Sequence, residues 1–153
     1  MLSELYNNDE IARLLLGRAD WRPYATAAER NPWEGLPASV RDRHIAAGEA
    51  RLDFAWPALP ATVFLDFARN GDRDRFQRLS FVRRHALADL VLAECVEGRG
   101  RFVDAIVDGI WAICEETYWG VPAHVGVQAA GVGLPDVAEP TVDLFVAETA
   151  SHL

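Results

Sequence analysis

Between residues 102 and 114, apolar side chains recur at three- and four-residue intervals. Phe102, Val103, Ile106, Val107, Ile110, Ile113 and Cys114 fall on one face at the helical period. A stripe of this kind makes a helix that must pack on other helices. The same period returns in "RDRFQRLSFVRRHALADLVLAECVEGRG", where Phe76, Leu79, Leu87, Leu90 and Val91 line up. Asp72 is placed to cap that helix, and Gly98 and Gly100 to end it. "PATVFLDFARNGDR" predicts a helix from Pro60, a favourable first-turn residue, carrying Val63, Phe64 and Phe67 and stopping at Asn70-Gly71. A further helix is expected from Ala38 to Leu52, with Val40, His44, Ala47 and Leu52. Another is expected from Ser3 to Gly17, with Leu5, Ile11, Leu14 and Leu15. "EPTVDLFVAETASHL" puts Val142, Phe145, Val146, Thr149, Ala150 and Leu153 on one face. No strand-period alternation persists. The expected fold is all-α, a set of antiparallel helical hairpins.

The connections are rich in proline and glycine. "RADWRPYATAAERNPWEGLP" reads as an ordered irregular stretch whose Trp21, Tyr24 and Trp33 cover a core edge. Pro57 and Pro60 bias their predecessors away from helix. From Trp119 to Pro135 the chain reads as a loop, and loops of that length in compact domains tend to carry function.

Composition narrows the function classes. The 153 residues suit one domain with its own core, and the formal net charge of -8 disfavours nucleic acid and anionic membrane as partners. All 15 basic residues are arginine, which fits either a genomic composition bias or bidentate recognition of carboxylate or sulfate. Cys95 and Cys114 sit in apolar helical patterns without paired spacing, so both are expected as buried free thiols in a reducing compartment. Neither a signal-peptide pattern nor a membrane-length apolar run occurs, and the expected location is cytoplasmic.

The residues that could carry chemistry concentrate in "WAICEETYWGVPAH", 111 to 124. Trp111 and Glu115 lie one helical turn apart, Glu116 and Trp119 follow near the helix end, and His124 lies past a Gly-Pro break. Aromatic rings beside carboxylates suit a sugar subsite, where a ring stacks on the pyranose C–H face and a carboxylate accepts from hydroxyls. The competing reading makes the tryptophans a helix-end core and the glutamates solvated. Glu115 and Glu116 project about 100° apart and do not face each other, so they are not by themselves the acid and nucleophile of a glycosidase. Arg83 and Arg84 lie inside a helix. They form either a solvated or salt-bridged face, with Asp89 as one available partner, or a cation set for an acidic saccharide. No metal-ligand spacing, cofactor fingerprint or GxSxG motif is present.

"LPATVFLDFARNGDRDRFQ", "RRHALADLVLAECVEGRGRFVDAIVDGIWAICEETYWGVPAH" and "DLFVAETA", spanning Leu59 to Ala150, resemble in order the N-terminal half of the heparinase II/III-like proteins. The resemblance implies part of an incomplete (α/α) toroid. It also implies a parent polysaccharide lyase that cleaves uronic-acid-containing polysaccharide by β-elimination, with an acidic polysaccharide or oligosaccharide as partner and no cofactor. The catalytic Tyr, His and Asn or Arg set of such proteins comes largely from later helices and a β-sandwich absent here. The resemblance therefore assigns no catalytic role to Tyr118 or His124. It makes Trp111, Glu115, Glu116, Trp119 and His124 cleft residues, with Arg83 and Arg84 as weaker candidates for the uronate charge. About five helices cannot close a toroid, so a chain of 153 residues folding alone is expected to form a homo-oligomer or expose an apolar face. Two rival expectations are a non-catalytic helical module binding saccharide or protein, and a fragment of a six-hairpin glycoside hydrolase.

Overall fold

The computed structural model describes residues 5–17 and 20–153. Among these residues there are eight α-helices and no strand, as the apolar period requires. They are α1 (Asn8–Leu14), α2 (Arg30–Glu34), α3 (Ala38–Glu49), α4 (Ala61–Phe64), α5 (Asp66–Asn70), α6 (Asp74–Glu97), α7 (Val103–Cys114) and α8 (Leu144–His152). A 3-10 turn covers Pro122–Val127. No helix among the described residues is long and apolar enough to cross a membrane.

The 24-residue α6 is the axis of the fold, about 36 Å long at 1.5 Å per residue. Its start follows from Asp72, whose Oδ1 accepts from the backbone N–H groups of Asp74 (2.9 Å) and Arg75 (3.2 Å). Its end follows from Gly98, which takes the left-handed conformation at φ +67°. Arg30 then reaches from α2 and donates to the last carbonyls, Cys95 O (2.7 Å) and Val96 O (2.9 Å), placing a cation at the negative end of the helix.

Helix α6 buries residues on several sides, because it has neighbours on several sides. Against α3, Gly48 meets Ala93 and Arg51 meets Asp89, so the contact numbers run in opposite directions and the pair is antiparallel. Against α7, Phe102 packs with Leu90 and Ala93 while Gly109 lies near Leu87, which makes α6–α7 a second antiparallel pair. Trp56 fits against the bare face of Gly109, where a side chain would collide with its ring. A second apolar cluster joins Val63 and Phe64 of α4, Phe76 of α6 and Val125 of the 3-10 turn.

Several local expectations are corrected. The helix from Pro60 is interrupted at Leu65, whose φ of -68° and ψ of -13° tighten the turn toward 3-10 geometry. Among the described residues, α1 begins at Asn8 because Asn7 and Glu10 form a reciprocal capping box there. The expected start at Ser3 lies outside the described residues, as do Arg18 and Ala19 of the irregular stretch. Trp21 and Tyr24 are exposed and cover no core, while Trp33 is held by its indole N–H on Thr26 O at 3.0 Å. Cys114 is exposed and Cys95 only half-buried, so neither is the enclosed thiol expected. On α8 only Phe145 and Thr149 are buried; Val142 and Leu153 of the expected stripe face outward.

Candidate functional site

The two adjacent glutamates at the end of α7 meet opposite fates. Glu115 closes the helix and stays exposed, whereas the Glu116 side chain is 2% exposed and lies between two arginines of α6. Arg84 grips it with both terminal nitrogens, Nη1 to Oε1 at 2.7 Å and Nη2 to Oε2 at 2.5 Å. Such a fork is the geometry in which guanidinium and carboxylate bind most strongly. The other donors of Arg84 go to Thr149 Oγ1 of α8 (3.2 Å) and Ser80 O (3.3 Å), and its guanidinium carbon stands 5.3 Å from the Phe145 ring centroid. Arg84 thus ties α6 to α8 and to the turn after α7. Phe81 and Phe145, with ring centroids 4.9 Å apart, add an apolar contact across the same junction.

Arg83 shares the carboxylate less completely. Its Nε lies 3.2 Å from Glu116 Oε1, yet the angle is not that of a hydrogen bond and the buried Nε–H has no acceptor. Its terminal nitrogens donate to Pro57 O (3.2 Å) and to Ala112 O. Burial pulls the Arg83 guanidinium below the usual arginine range, Glu116 opposes that, and the neighbouring Arg84 charge adds to it. Two buried guanidiniums around one carboxylate leave one surplus positive charge. The expected pairing of Arg83 with Asp89 does not occur, because Asp89 is engaged by Arg51 Nε at 3.1 Å.

Beyond Glu116 the chain turns along the base of the helices. Tyr118 buries its ring beside Phe64, and its hydroxyl has no partner. Burial pushes its phenol up, and the Asp143 charge pushes in the same direction. Trp119 donates its indole N–H to Ile113 O at 2.9 Å, capping a terminal carbonyl of α7. His124 Nδ1 meets Asp143 Oδ2 at 2.5 Å, while Asp143 Oδ1 accepts the Val146 N–H at 2.7 Å and starts α8.

Two cavities flank the 116–118 segment. One, of about 520 Å³, is walled mostly by apolar groups, among them Trp56, Leu59, Phe64 and Phe76, and its polar lining includes Arg83, Glu115 and Tyr118. The other, of about 370 Å³, is lined by Tyr118 and Trp119 together with Gln128, Asp136, Glu139 and Thr141. Glu116, Thr117 and Tyr118 border both.

Of the seven residues singled out from sequence, Arg83, Arg84 and Glu116 are brought into direct contact. Glu115 and Trp119 line different cavities. Trp111 is 67% exposed on the outer face of α7 and borders neither, and His124 also borders neither. Sequence reasoning missed Tyr118 as a shared wall, Trp56, and Gln128. The Gln128 amide donates to Asp136 O (2.9 Å) and Glu139 O (2.8 Å) and accepts from the Asp136 N–H (2.9 Å), which orders the loop. A polar residue set among glycines and alanines in "GVQAAGVG" was the available signal. Among the described residues no three metal-ligating side chains cluster. No protein-family model matches the chain, and no curated protein matches it.

Proposed function

We propose that the chain is a saccharide-binding helical region, corresponding to the N-terminal part of the toroid in a heparinase II/III-like polysaccharide lyase. In this reading it supplies cleft walls and leaves elimination to residues outside its 153. The observation that carries the reading is the 370 Å³ cavity, whose lining includes both Tyr118 and Trp119 and both Asp136 and Glu139. Aromatic faces stack on sugar C–H surfaces, and carboxylates accept from hydroxyls. The acidic lining favours neutral, hydroxyl-rich units at this subsite, so within a uronate-containing polymer it receives the neutral residues. Arg84 has its donors engaged inside the fold and contributes there as a support.

The test is calorimetric titration with tetrasaccharides from neutral and from uronate-containing polymers. Saturable binding is expected, weakened about tenfold or more in Trp119→Ala and largely retained in Trp119→Phe, which keeps the ring. Absence of binding to every probe, or an unchanged affinity in a folded Trp119→Ala, rejects the reading. The alternative of a protein-binding module is favoured by one observation, the exposed apolar stripe on α7.

A further inference from the structure

The larger cavity calls for a ligand of different chemistry. Its walls are built from Trp56, Leu59, Phe64, Phe76 and Leu134, which suit a hydrocarbon body better than a hydroxyl-rich one. At 520 Å³ it falls within the range of about 300–1,000 Å³ typical of small-molecule sites. One buried nitrogen without a hydrogen-bond acceptor, Arg83 Nε, belongs to a residue that lines this cavity. Buried donors are normally satisfied, so this guanidinium is incompletely paired within the fold.

Charge points the same way. Of its five N–H groups, Arg83 donates one to Pro57 O and one to Ala112 O, both on the cavity wall, while its Nε–H, 3.2 Å from Glu116 Oε1, makes no hydrogen bond. Glu116 balances only one of the two buried guanidiniums, and burial already disfavours the Arg83 charge. Two carboxylate residues line the cavity beside Arg83: Glu116, already paired with the arginines, and Glu115, whose exposed carboxylate can meet water instead.

We propose that this cavity is a binding site for a small carboxylate with an apolar body, an aryl- or alkylcarboxylic acid, whose carboxylate is received by Arg83. The Trp56–Phe64–Phe76 surface holds the hydrocarbon. The site is independent of the saccharide reading, which concerns the cavity across Tyr118.

The experiment titrates the chain, by calorimetry and by protein-observed NMR, with octanoate, 4-phenylbutyrate, 1-octanol and glucuronate. The two apolar acids should bind saturably, with 1-octanol and glucuronate each weaker by roughly tenfold or more, as loss of a charge-assisted bond or of the apolar body implies. Glu115→Gln should tighten octanoate by about two- to fivefold by removing a competing charge. Arg83→Met should abolish the preference for acid over alcohol if it folds; Glu115→Gln decides the matter if it does not. Equal affinity for octanol and octanoate would reduce the site to an apolar hole and overturn the proposal. Preference for glucuronate would overturn the apolar body, and an octanoate affinity indifferent to Glu115→Gln would overturn the charged anchor.

Discussion

Glu115 and Glu116 are chemically identical neighbours, and their energetics should differ sharply. Glu116 is 2% exposed with both oxygens on Arg84 and one beside Arg83, so removing it strands two buried guanidiniums. Breaking a buried pair from one side costs about 3–5 kcal/mol, because desolvation of the remaining charge is no longer compensated. Glu116→Ala is therefore expected to lose about that much in urea unfolding, and Glu115→Ala less than about 0.5 kcal/mol, as for an exposed surface residue. Equal losses for the two would show that the Arg83–Glu116–Arg84 cluster does not hold the fold. The sequence made both arginines and both glutamates candidates without saying that they meet. The partner of Arg84 lies 32 residues away, and no local period reports such a contact. Helical spacing does set Arg83 one turn from Leu79 and one from Leu87, which both carry the apolar period of α6.

At the scale of elements, the crossing of α3 and α6 depends on an absent side chain. A methyl group on Gly48 would stand 2.3 Å from the Ala93 methyl, 3.1 Å from the Phe102 ring and 3.3 Å from Asp89 O. None of these is the free end of a flexible side chain, so the helices must separate. Gly48→Ala, which would stabilise an exposed helix, is expected here to destabilise by about 1–3 kcal/mol. Ala93→Gly in the same background should restore part of the loss, and thermal unfolding of the single and double variants measures the coupling. Full additivity would place the strain elsewhere. This glycine lies within the expected helix from Ala38 to Leu52, and the sequence offered no reason for it because close approach is a property of two helices together. The helix starts and stops were legible for the opposite reason. Asp72, Gly71 and Gly98 act on their own backbone neighbours, so short spacing carries the information. The 119–135 stretch was legible only as a loop. Part of the order within it comes from a buried amide, Gln128, bonding across to Asp136 and Glu139.

At the scale of the molecule, the feature that guided the sequence reading returns as an unresolved tension. The stripe from 102 to 114 demanded partners, and α6 satisfies only part of it. Phe102 and Ile113 are fully buried, while Val103, Val107 and Ile110 remain 43%, 54% and 38% exposed, with Trp111 at 67% beside them. The outer face of α7 is thus apolar along its length, flanked by Asp104 and Asp108. A contiguous apolar surface of this kind favours association by withdrawing it from water. Two opposing copies would also bring acidic flanks together in a chain that already carries a net charge of -8. Attraction at short range and repulsion at longer range make opposite demands on salt, since screening weakens only the second. Sedimentation velocity should therefore show the mass rising with protein concentration, and rising further between low and physiological ionic strength. Val107→Glu with Ile110→Glu should hold the chain monomeric in both conditions without loss of helical content, because neither side chain is buried. Association that survives this double substitution would place the contact on another surface, with the exposed Val137, Val142 and Leu144 as the next residues to alter.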